Sequence, residues 1–148
     1  MAATAHIHAG GAAFIASLLN KSATMSATWY LGLRKCDGVG SDPSDASASD
    51  SLTSNLAEVG TGVGYSRIAI TINSTNLAIS TSGTSSVITF TASTFSFTGS
   101  VSGITHAFLA TSSDNSGSLI ASAPLQVTRN VANGDSITVT FQLTVVSS

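Results

Sequence analysis

The chain has 148 residues, enough for one domain with a sizeable core. Only 8% of them are Asp, Glu, Lys or Arg, the net charge is −2, and 43% are hydrophobic with a mean hydropathy of +0.37, which excludes a disordered chain. The five cations (Lys21, Arg34, Lys35, Arg67, Arg129) are scattered without a basic stripe, so no direct nucleic-acid binding is expected, and the single Cys36 rules out an intrachain disulfide framework.

Polarity comes instead from Ser and Thr, which make up about a third of the chain, far above usual composition. A hydroxyl-rich, charge-poor surface suits a sheet exterior. The apolar run Gly10 to Leu19 is far short of the roughly 20 residues of a membrane span. Lys21 follows that run rather than preceding it, the reverse of a signal peptide.

In chain order, Gly10-Gly11 reads as a breaker, and Ala12 to Leu19 as a short helix with Phe14, Ile15, Leu18 and Leu19 at helical spacing and Asn20 as its stop. Thr28 to Leu33 is the first strand, with aromatic residues near its start. Asp37 to Gly64 is rich in Gly, Ser and Asp and lacks strand periodicity, so it is expected to be a long loop of the kind that often carries function. Tyr65 to Asn73 alternates, with Ile68, Ile70 and Ile72 on one face, and Leu77 and Ile79 continue the phase.

Ser82-Gly83-Thr84 marks a turn. Val87 to Phe97 follows with a bend at Ala92-Ser93, and Ile104 to Thr111 reads as a strand buried on both sides. Asp114 to Gly117 is a hairpin signal. Leu119–Ala123 and Leu125–Asn130 read as a strand pair around Pro124, which demands an edge or a bulge. Asn133-Gly134-Asp135 is the strongest turn, and Ile137 to Val145 closes the chain with five alternating apolar residues expected to face inward. Short strands with regular turns predict an all-β fold, an antiparallel β-sandwich of jelly-roll-like type. The expected organisation is an N-terminal arm with a short helix over 1–27 and a sandwich over 28–148 that includes the loop 37–64.

Catalytic constellations are thin. The only histidines are His6, His8 and His106, no G-x-S-x-G turn occurs, and Glu58 is the only Glu, with every Asp in a turn or loop. No enzymatic activity and no cofactor are therefore expected. His6-Ile7-His8 could offer metal ligands on a threefold axis, but an ordinary exposed pair is the preferred reading. The acidic residues Asp37, Asp42, Asp45 and Asp50 do not match a calcium-loop spacing. Tyr65 is expected to anchor a sandwich rim through its hydroxyl, and Arg67, on the same side, to bind a loop carboxylate or carbonyl.

Six elements occur in a familiar order: Gly64-Tyr65-Ser66-Arg67, Phe90-Thr91-Ala92, the strand Ile104 to Leu109, Ser116-Gly117-Ser118-Leu119, Leu125, and Gly134-Asp135. In this order, from Trp29 to Val146, the chain resembles a family of small tailed-phage virion structural proteins, of head-decoration (cement) or tail-fibre-like type. Phe95-Ser96-Phe97 departs from the single Trp that such sequences often carry there. The resemblance implies a virion location and no catalysis. The first expectation is a capsid decoration protein, a homotrimer binding the major capsid protein through Phe14 and Leu18 of the arm and Asp42, Asp45 and Asp50 of the loop. The alternative is a tail-fibre or receptor-binding module touching a host glycan, with Trp29, Tyr30 and Tyr65 as its aromatic candidates.

Overall fold

The computed structural model describes residues 6–20, 24–35, 50–53 and 56–146. Its strands are β1 (His6–Ile7), β2 (Thr28–Lys35), β3 (Ile68–Thr71), β4 (Leu77–Ser82), β5 (Ser85–Phe90), β6 (Ser93–Ser96), β7 (Val101–Ala110), β8 (Leu119–Val131), β9 (Ser136–Val139) and β10 (Gln142–Val146), with one helix, α1 (Ala9–Leu19). All strand pairs are antiparallel. The first sheet has the order β1-β8-β7-β2-β3.

The second layer is a kinked ribbon. β5 pairs with β10 and β6 with β9, while the Phe90 amide donates to the Phe141 carbonyl (2.9 Å) between the two stretches. β4 lies along the outer side of β5. Hairpins β4–β5 and β7–β8 each stay within one sheet. The inner faces of the two layers meet in one core, where Trp29 stacks on Phe90 (6.2 Å), Phe90 meets Phe141 edge-on (6.1 Å) and Tyr65 stacks on Phe95 (5.7 Å). The antiparallel β-sandwich anticipated from turn spacing and alternation is thus the fold that forms.

The outer face of the first sheet is also covered. Leu52 and Leu56 pack on Phe108, Ala110 and Leu119 as a second, smaller core. This is why β7 reads as apolar on both sides: Ile104, Ala107 and Leu109 face the sandwich, and Phe108 and Ala110 face the covering segment. Gly32 makes room on that face, because a Cβ there would lie 2.3 Å from the Phe108 ring.

Several expectations need correcting. The helix starts at Ala9, and Gly10-Gly11 belongs to it rather than breaking it. A Cβ on Gly11 would lie 2.2 Å from the Ile120 carbonyl oxygen, so glycine is what lets the helix lie against β8. Tyr65 to Asn73 is strand only at Ile68–Thr71, and Leu77 and Ile79 belong to the other sheet. Residues 119–130 form one long strand rather than a pair. Pro124 lies beside a register shift, His106↔Pro124 against Ile104↔Arg129, which loops out 125–128 at an edge. The closing strand breaks at Thr140-Phe141. Ile137, Val139, Phe141 and Leu143 are buried, but Val145 is 51% exposed where the ribbon outruns its cover.

Candidate binding groove

Two side-chain networks hold the loops, and a groove opens beside β8. β3 pairs with β2 only from Thr28 to Leu31. Beyond it, residues 57–59 take over the β2 edge through Lys35 N–H to Ala57 O (2.7 Å) and Val59 N–H to Leu33 O (3.0 Å). The remaining Leu33 N–H donates to the Tyr65 hydroxyl (2.9 Å), which itself donates to Glu58 Oε1 (2.8 Å). Arg67 then closes a fork on Glu58, with Nε to Oε1 at 2.8 Å and Nη2 to Oε2 at 2.6 Å. Its Nη1 donates to the Ser112 carbonyl (3.1 Å) and to that of Asp114, and its guanidinium lies 5.3 Å from the Phe108 ring centre.

Burial pushes the Tyr65 phenol well above its ordinary range, and the Glu58 charge adds to the rise. Burial opposes the Arg67 charge, but the hydrogen bond to Glu58 and the Glu58 charge outweigh it, so Arg67 is held above its ordinary value. The Asp114 carboxyl is pulled below the usual carboxylate range because the Ser116 hydroxyl and amide both donate to it. Glu58, Tyr65 and Arg67 thus join 58–67 to the β7–β8 turn.

The second network sits on the outer face of the first sheet. Arg34 Nη2 pairs with Asp50 Oδ2 at 2.9 Å, with both side chains buried, and Nη1 donates to Ser122 Oγ (3.3 Å). His8 Nε2 shares a hydrogen bond with the same Ser122 Oγ (2.8 Å) and is fully buried. Asp50, read from the sequence as part of a docking loop, is thus turned inward against Arg34. His8, read as half of an exposed pair, is buried because the backbone of β1 and His8 pairs along β8 as far as Ile120. The His6 side chain, Asp37, Asp42 and Asp45 lie outside the described residues. Phe14 and Leu18 are half-buried, Phe14 with its ring edge-on to Trp29 at 6.3 Å. Among the described residues no group of three or more His, Cys, Asp and Glu converges as a metal site, and no helix is long and apolar enough to cross a membrane.

The groove lies between two free strand edges. β8 is paired by β1 only near Ser122, and β9–β10 is the border of the second layer. The loop-out of 125–128 parts the two sheets there, leaving a groove of about 470 Å³. Gln126, Arg129 and Asn130 line one wall, Asp135, Thr138 and Gln142 the other. Several of these are already oriented: Asn130 Oδ1 accepts from the Gly103 amide (2.9 Å), Asp135 Oδ2 from the Ala132 amide (2.8 Å), and Gln142 Nε2 donates to Thr89 Oγ1 (3.1 Å). Sequence reasoning missed this groove, and the proline inside an apolar strand was its one local signal. The aromatic candidates do not reach it. Trp29 and Tyr65 are core residues, and Tyr30 lies half-buried on the opposite side of β7.

Among curated proteins none matches the sequence. A family model does, described as "Podophage GP4 fiber I protein gp80", and it spans residues 10–147, from the first helical turn to the end of β10. The chain therefore belongs to this family of fibre-like phage structural proteins, and its place is the virion.

Proposed function

We propose that the chain is a non-enzymatic component of a tailed-phage fibre that binds a host surface glycan through the groove between β8 and β9–β10. The observation that carries the fibre reading is the family match, whose description names a fibre protein. The capsid-decoration reading has less support. It places docking on the N-terminal arm and the Asp-bearing loop, yet His8, Gly11, Asp50, Leu52 and Leu56 of those segments are buried within the fold. The groove suits a saccharide because planar amide, guanidinium and carboxylate groups can take two neighbouring hydroxyls at once. Its rim also carries the apolar surface of Pro124 and Leu125.

Two measurements test this. Gold-labelled antibody against the chain should decorate fibres on intact virions, and copy number should be a small fraction of that of the major capsid protein. Uniform label over the head, at near-capsid stoichiometry, would restore the decoration reading. Separately, the purified chain should compete with phage for adsorption to host cells, and Arg129→Ala should reduce that competition about tenfold, the cost of one charged hydrogen bond. Equal competition by the folded variant would remove Arg129 and this groove wall from the binding site.

A further inference from the structure

We propose that the free edge of β4 is a contact between two copies of this chain, with β4 pairing antiparallel to β4 of the second copy about a two-fold axis at Ile79. Among the described residues β4 pairs only with β5, so its other edge is open beyond Leu77, whose amide donates to the Asn73 carbonyl (3.0 Å). Strands left at an edge are normally guarded by a charge, a proline, a bulge or extreme shortness. The other borders of the sandwich show such devices. β3 has four residues, β8 has Pro124 and its loop-out, and β9–β10 breaks at Thr140-Phe141. β4 has none of them. Its register with β5 runs unbroken from Leu77↔Phe90 to Ser82↔Ser85, and no Asp, Glu, Lys or Arg occurs from Ile68 to Ser113.

The side chains agree with the backbone. Ile79, Ile88 and Leu143 form one cross-strand row on the face that carries the core. Leu143 is buried and Ile88 half-buried, but Ile79 is 70% exposed at the border. Pairing across the two-fold axis would set Ile79 against Ile79 of the second copy and Leu77 against its Thr81. The small Ala78 and Ser80 would lie on the opposite face. A strand is the occupant that an open strand edge takes, and a second copy is the strand favoured by charge. A two-fold contact sets every side chain near its twin, so any ionised group at its centre would meet its own charge. This border has none.

Sedimentation velocity on the full chain tests the contact. The wild type should show a monomer–dimer equilibrium, and Ile79→Lys should raise its dissociation constant about tenfold or more, because two lysines then face each other. Val127→Lys, at a 61% exposed apolar residue on β8, is the control and should leave the equilibrium unchanged. Circular dichroism checks that each variant is folded. In a Cys36→Ser background, Ile79→Cys should cross-link as a dimer under mild oxidation, since directly opposed residues lie within disulfide reach, and Ala78→Cys should not. A wild-type monomer at all concentrations, or an oligomer of any size indifferent to Ile79→Lys, would overturn the proposal.

Discussion

Asp50 and Arg34 show how much a single pair can decide. Both side chains are almost fully buried, so removing the carboxylate takes the Asp50 charge away from a buried guanidinium. Asp50→Ala should cost about 3–5 kcal/mol in a denaturant melt, as breaking a buried pair does. A loss below about 1 kcal/mol would show that the pair is not closed in solution. Nothing local in the sequence marks Asp50, because it stands in a Ser- and Asp-rich run that reads as solvated, and its partner lies on a strand sixteen positions earlier. Tyr65 was easier to read, since an aromatic with a polar tip beside Arg67 has few other places to go. The raised phenol pKa has a pH consequence with a definite sign. Above about pH 10, where an unfolded tyrosine loses its proton, the folded Tyr65 keeps it, so the folded state binds more protons and stability falls as pH rises. Tyr65→Phe should be less stable at neutral pH but should flatten that alkaline decline in melting temperature.

Elements were legible where the pattern had a single cause. The alternation from Ile137 to Leu143 and the two-sided burial of β7 both follow from which layer each side chain meets. Phe141→Ala should therefore cost about 3–5 kcal/mol, the usual loss for a large core truncation. Boundaries failed where contact from a distant strand overrode local preference. Gly10-Gly11 resembles a breaker, yet the Ile120 backbone requires it inside α1. Gly11→Val should destabilise by roughly 1–3 kcal/mol through overpacking, whereas the same change at Gly10, where a Cβ would have 3.6 Å of clearance from the Leu119 oxygen, should be milder. Thermal melts of the two variants check this ordering. The β8 loop-out was half legible: Pro124 demanded an edge or bulge, but the three extra residues are visible only in the pairing with β7.

For the molecule as a whole, the run from Asp37 to Gly64 that reads as one long loop contributes to the fold itself: Leu52 and Leu56 cover the outer face of the first sheet and residues 57–59 extend its β2 edge. Excising 50–56 should strip Phe108 and Leu119 of their apolar cover and expose the outer face of β7, so hydrophobic-dye binding should rise sharply. An excised chain with native dye binding would show that the cover is not part of the fold. The pairing of β1 with β8, His6↔Ser122 and Ile7↔Ala121, joins the start of the chain to a strand near its end. During synthesis the ribosome releases β1 long before its partner exists, and β2 must likewise wait for β7. Contacts of such sequence separation make folding slow and place its decisive step late. The apolar hairpins already made are exposed to neighbouring nascent chains in that interval, and scarce charge gives them little mutual repulsion. Premature termination before β8 should therefore yield aggregation rather than a stable fragment, and production in a host should depend on how fast the codons of β7 and β8 are read.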